Sequence, residues 1–146
     1  MLRVPLTRDH LAAIGALTAD GRVLMQVQTE AFGGPRVVRF VCHLLRHSAG
    51  KLLVIWDGSP IHRAKVVTSF LATEVGGRVW LARLPGYAPA LNPVEGIWYY
   101  LKRVRLGNVC CRSLKEVRYE LRLAAATLRH KASVLANLPG HFGCPL

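Results

Sequence analysis

Acidic side chains are scarce in this chain: 8 Asp or Glu stand against 20 Lys or Arg among 146 residues, a net charge of +12. That imbalance argues for a polyanionic partner, most simply nucleic acid, although a ribosome-like structural protein would share it. The cations are spread along the chain rather than run together, which favours a folded basic surface over a disordered arm. Long hydrophobic runs are missing as well. None approaches the ~18 residues of a membrane helix, and Met1-Leu2-Arg3-Val4-Pro5-Leu6 lacks the apolar core of a signal peptide. No membrane partner is expected, and the chain reads as soluble and cytoplasmic. Cysteine is limited to Cys42, Cys110, Cys111 and Cys144, without zinc-ligand spacing, so free thiols are expected. His43, His47, His130 and His141 likewise lack a partner pattern. Aromatics make up 8%, none in an RNA-stacking signature. No repeat, low-complexity tract or interdomain linker is visible. An apolar fraction of 51% excludes general disorder, and the length suits one domain with a real core.

What is present centres on the stretch from Leu84 to Lys102. Pro85, Gly86, Pro89 and Pro93 enforce an irregular run, because proline fixes φ and removes a backbone donor. The run then turns into a helix. Asn92 suits the N-cap and Pro93 the first helical position, with Glu95 at the third. Val94, Ile97, Trp98 and Leu101 form one apolar stripe, while Glu95, Tyr99 and Lys102 lie along another edge. Glu95 has two readings here: a capping box closing on Asn92, or a carboxylate offered to a ligand.

The second stretch is Lys51-Leu52-Leu53-Val54-Ile55-Trp56-Asp57-Gly58-Ser59-Pro60-Ile61-His62. Its apolar run between Gly50 and Gly58 predicts a strand buried on both faces. Asp57 ends that strand, where ligands of open α/β sheets gather. A carboxylate there and another in the first turn of a later helix can converge on one hard divalent cation. His62 falls one turn beyond Asp57. It either ties that turn by a hydrogen bond or contacts DNA or water.

Together the two stretches resemble the catalytic domain of DDE transposases, in the insertion-sequence branch of the mariner-like superfamily. The matching pieces are the apolar strand into Asp57-Gly58-Ser59-Pro60-Ile61-His62, the run from Leu84 through Asn92-Pro93-Val94-Glu95, then Trp98 and Leu101-Lys102. Their order and spacing match the family, and the likeness covers roughly residues 9 to 136. The resemblance implies an RNase H-like α/β fold, a mixed sheet flanked by helices. It implies metal-dependent cleavage and transfer of DNA strands at transposon ends and target. It assigns catalysis and metal binding to Asp57 and Glu95, with His62, Asn92, Tyr99 and Lys102 as support. A two-ion Mg2+ or Mn2+ site is expected in the complete domain, the ions ~3.5–4 Å apart, and a homo-oligomer is a further expectation.

The rest of the chain supplies elements for such a fold. Residues 9 to 30 read as a hairpin turning at Ala19-Asp20-Gly21. A helix follows with Pro35 at its first position; Val37, Val38, Val41, Leu44 and Leu45 share its inner face, opposite Arg36, Arg39, His43 and Arg46. A second helix is expected from Ser59-Pro60 to about Leu71, burying Val66, Val67, Phe70 and Leu71. A strand over 78–84 leads into the central stretch. Beyond Lys102, Arg103 and Arg105, a long helix starts at Ser113 with Glu116 closing a capping box. Leu114, Val117, Leu121, Ala124, Ala125 and Leu128 face inward; Arg118, Arg122, Arg129 and Lys131 stay outside, as a solvated face or as phosphate contacts. The domain is expected over residues 1–137, with a frayed tail over 138–146.

Two metal ions need three carboxylates, and the third is hard to find. Asp20 belongs to a turn, Glu30 follows a strand, Glu74 lies in a loop, and Glu116 and Glu120 belong to the last helix. Asp9 begins a strand in the wrong setting. In relatives the first aspartate lies on a central strand preceding the hairpin, and a helix-turn-helix region precedes the catalytic domain. The expectation is therefore a chain truncated before both, and inactive in isolation. Two functions follow: part of a metal-dependent transposase, or a non-catalytic basic remnant that binds DNA through phosphate contacts.

Overall fold

The structure, a computed structural model, describes residues 11–86, 91–107 and 110–129. Strand β1 (Ala12–Leu17) pairs antiparallel with β2 (Val23–Gln28), placing Ala12 opposite Gln28 and Leu17 opposite Val23. The turn closes through Gly21 N–H to Thr18 O at 2.9 Å, and Gly21 takes φ 81°, a conformation that suits a residue without a Cβ. Asp20 accepts hydrogen bonds there from Thr18 Oγ1 and from Arg22 Nε. The hairpin is as the sequence predicts.

Helix α1 (Gly34–Arg46) is capped by Gly33, so Pro35 takes its second position rather than its first. Two layers meet on this helix. Val37, Val41 and Leu45 pack with Trp56, Val67 and Val79, while Phe40 and Leu44 pack with Leu24, Ile14 and Ala16 of the hairpin. Phe40, absent from the expected inner face, is buried because α1 is covered along two flanks rather than one.

Strands β3 (Leu52–Trp56) and β4 (Val79–Arg83) run parallel, Leu52 opposite Val79 and Trp56 opposite Arg83. Between them come a 3-10 turn (Pro60–Arg63), helix α2 (Lys65–Leu71) and a second 3-10 turn (Gly76–Arg78). The single helix expected from Ser59 to Leu71 is thus broken. Ala64 is extended, with φ −58° and ψ 141°. That bend lets Val67 reach the core shared with α1 and leaves Val66 exposed, not buried as expected. The start of α1 comes close to α2: a Cβ on Gly34 would lie 2.5 Å from Val66 Cγ1 and 2.8 Å from Ala64 Cβ.

The β3 run is not buried on both faces. Leu53 is 63% exposed, Ile55 59% and Trp80 61%. Parallel pairing puts Leu53 beside Trp80 and Ile55 beside Ala82 on one face, while α1 and α2 cover the other. An apolar run reports suitability for burial; a second covering layer must exist to realise it.

Helix α3 (Pro93–Tyr99) continues as a π-helical segment (Tyr100–Arg105), and α4 (Leu114–Arg129) follows. They close the far face of the hairpin, where Ile97, Leu101, Leu121, Ala124 and Leu128 bury Val23. At the start of α4, Ser113 Oγ accepts from Glu116 N–H at 3.2 Å. Glu116 Oε2 accepts from Arg112 N–H at 2.7 Å, so the expected box closes one residue ahead of Ser113.

The architecture is α/β, with helices on both faces of the hairpin. Among the described residues the strands form two pairs, one antiparallel and one parallel, with no hydrogen bonds joining them into one sheet. No helix among these residues is long and apolar enough to cross a membrane. Cys42, Cys110 and Cys111 are free thiols. Asp9 and Pro5, the Tyr87-Ala88-Pro89-Ala90 part of the central stretch, His130, Lys131, His141, Cys144 and the tail from Leu138 lie outside the described residues.

Candidate active site

Asp57 follows the last residue of β3, and its carboxylate is used unevenly. Oδ1 accepts from the Ser59 backbone N–H at 2.9 Å and lies 3.2 Å from His62 Nε2. Oδ2 has no hydrogen-bond partner among the described residues, and the side chain is 54% exposed. His62 is only 13% exposed and stacks on Trp56, ring centroids 4.2 Å apart and 16° from parallel. Burial of the imidazole pushes its pKa below the usual value, outweighing the Asp57 carboxylate, which acts the other way. His62 Nδ1 and Trp56 Nε1 are buried without hydrogen-bond partners. The His62 Nε2 contact with Asp57 Oδ1 at 3.2 Å is where the bond expected to tie the turn would lie.

Because β3 and β4 are parallel, their carboxyl ends emerge together. Leu84 N–H donates to Trp56 O at 2.9 Å, so the segment leading toward α3 leaves from beside Asp57. At the far end of that segment Asn92 caps α3, its Oδ1 accepting from Val94 N–H at 3.2 Å. Glu95, in the first turn, is exposed; its backbone N–H donates to Asn92 O at 3.0 Å, and its carboxylate makes no hydrogen bond among the described residues. The capping box that would have accounted for it is not formed.

Tyr99 and Lys102 are exposed on the same helical stretch, while Ile97 and Leu101 are buried. Trp98 packs on β1 at Gly15. Arg105 Nη2 reaches Thr127 Oγ1 of α4 at 3.4 Å. Arg103 and Arg122 are exposed and Arg118 is half-buried; with Lys102, these three form no ion pair among the described residues.

Most other described acids are engaged elsewhere. Asp20 pairs with Arg22, Glu30 with Arg36, and Glu116 closes the start of α4. Among the described residues no group of three or more His, Cys, Asp or Glu is arranged to hold a metal ion. The stacking role of Trp56 went unread in the sequence; its signal was an aromatic directly before the aspartate, with a histidine five residues beyond it.

The comparison that decides the family spans both carboxylates: a model described as DDE superfamily endonuclease matches residues 2–118. The chain belongs to the DDE superfamily endonucleases. A search of curated proteins returns no match to it. Membership implies a DNA substrate, in keeping with the charge of +12. DDE endonucleases generally use divalent metals, and exposed carboxylates such as Asp57 and Glu95 are the hard oxygen donors that such ions take.

Proposed function

We propose that this chain belongs to an insertion-sequence transposase catalytic domain, RNase H-like, that cleaves and transfers DNA strands at transposon ends and target. The observation that carries the reading is Asp57: a strand-end carboxylate with one oxygen bonded twice within the protein and the other unpartnered among the described residues. Asp57 and Glu95 would hold Mg2+ or Mn2+ through carboxylate oxygens. Bound there, the metal supplies Lewis-acid activation of the attacking oxygen and stabilisation of the leaving one. Asn92 sets the start of the helix that carries Glu95. Tyr99 and Lys102 line the same edge, and Lys102, Arg103, Arg105, Arg118 and Arg122 neutralise DNA phosphates. The active assembly is a homo-oligomer, and its setting is cytoplasmic.

A second reading is favoured by the lack of a three-donor cluster among the described residues: a basic remnant that binds DNA without cutting it. Reconstitution separates the two. The chain is mixed with a peptide bearing the upstream strand and its aspartate, and nicking of duplex DNA is followed with Mg2+ or Mn2+. The first reading expects metal-dependent nicking, lost in Asp57→Asn and Glu95→Gln. DNA binding without nicking under every condition supports the remnant.

A further inference from the structure

We propose that His62 is the positioning residue of the Asp57 carboxylate, holding Oδ1 inside the protein so that Oδ2 is the oxygen presented to a divalent cation. This rests on Asp57 being a metal ligand, as proposed above.

A carboxylate at an exposed strand end rotates freely unless donors fix it. Two donors converge here on the same oxygen, Ser59 N–H at 2.9 Å and His62 Nε2 at 3.2 Å. The first is a local turn contact of the kind aspartates commonly make with the backbone two residues on. The second is anchored more deeply. His62 lies flat on Trp56 at 4.2 Å, and Trp56 belongs to the buried cluster with Val37, Val41, Val67 and Val79. Orientation thus passes from the core through Trp56 and His62 to the carboxylate.

The arrangement also dictates where the imidazole hydrogen lies. A carboxylate oxygen only accepts, so Nε2 must carry hydrogen. Nδ1 then faces inward, buried and without a partner among the described residues. Partners that fix a metal ligand in this way typically change metal affinity about 10–100-fold when removed.

The test uses the 146-residue chain, with Mn2+ affinity followed by electron paramagnetic resonance. His62→Leu keeps bulk without the donor, while His62→Gln restores an N–H near the Nε2 position. We expect about tenfold weaker Mn2+ binding in His62→Leu, near-native binding in His62→Gln, and loss of binding in Asp57→Asn. Native affinity in His62→Leu beside loss in Asp57→Asn overturns the positioning role and leaves the Asp57 ligand standing. Native affinity in Asp57→Asn, or no Mn2+ uptake by the parent chain, overturns both. A second measurement needs neither metal nor the leucine variant: nitrogen-15 spectra of the parent chain should show a hydrogen on His62 Nε2 that exchanges faster in Asp57→Asn. Its absence, or unchanged exchange, overturns the positioning role.

Discussion

Gly15 on β1 is the seat of Trp98 on α3: a Cβ built on Gly15 would fall 3.0 Å from the indole Cζ2. That approach, with Ile97 and Leu101 buried beside it, docks the helix bearing Glu95 against the hairpin. Gly15→Val should overpack this contact and destabilise the chain by ~1–3 kcal/mol. Gly77→Ala, which meets nothing within 4 Å, should change stability by less than about 0.5 kcal/mol. Denaturant melts compare them. Equal midpoints would show that Trp98 yields without cost.

The two proposed metal ligands carry a geometric expectation. In crystals grown with Mn2+, the carboxyl groups of Asp57 and Glu95 should lie ~4–8 Å apart, close enough to share an ion. A separation above ~12 Å would end the shared site, since no carboxylate side chain spans that gap.

Binding to duplex DNA should be sequence-independent and should weaken steeply between ~50 and ~200 mM salt, because each neutralised phosphate releases counterions. Lys102, Arg103, Arg118 and Arg122 should matter about equally, each alanine substitution reducing the salt slope by about one unit. A titration with no salt dependence would refute phosphate contact as the source of affinity.

His62 predicts a pH dependence of stability. Its folded pKa lies below the ordinary 6.5, so the unfolded chain binds the proton more readily. The stabilisation is complete above about pH 6.5 and is lost as pH falls through the lower folded value. Melting midpoints of the metal-free chain should therefore drop on mild acidification, and His62→Gln should flatten that drop. Parallel pH profiles for the two would place the titrating group elsewhere.

The two strand pairs share no hydrogen bonds among the described residues, and Leu53, Ile55 and Trp80 present an uncovered apolar face. Unpaired buried backbone groups cost ~1–3 kcal/mol each, against a typical total stability of ~5–15 kcal/mol. The isolated chain should be marginal and prone to aggregate, without metal-dependent nuclease activity. A peptide bearing the upstream strand should raise its melting midpoint, and Trp80→Gln should slow its aggregation. A monomer that melts cooperatively and nicks DNA with Mg2+ on its own would locate the first carboxylate within these residues.

Local order was determined by the sequence itself. Gly21 set the hairpin turn, Asn92-Pro93 started α3, and Ser113 with Glu116 started α4, because caps and turns depend on residues within a few positions of one another. Asp57 and Glu95 were legible as candidates for the same reason: strand ends and first helical turns are marked by neighbours. Three things were decided only by the tertiary structure. The Glu95 carboxylate did not cap Asn92, Phe40 was buried between two layers, and one face of β3 was left exposed. Each depends on which distant segment arrives at a surface. Periodicity shows that a face is apolar or a carboxylate is within reach of a backbone; only packing between elements far apart in the chain selects the partner it meets.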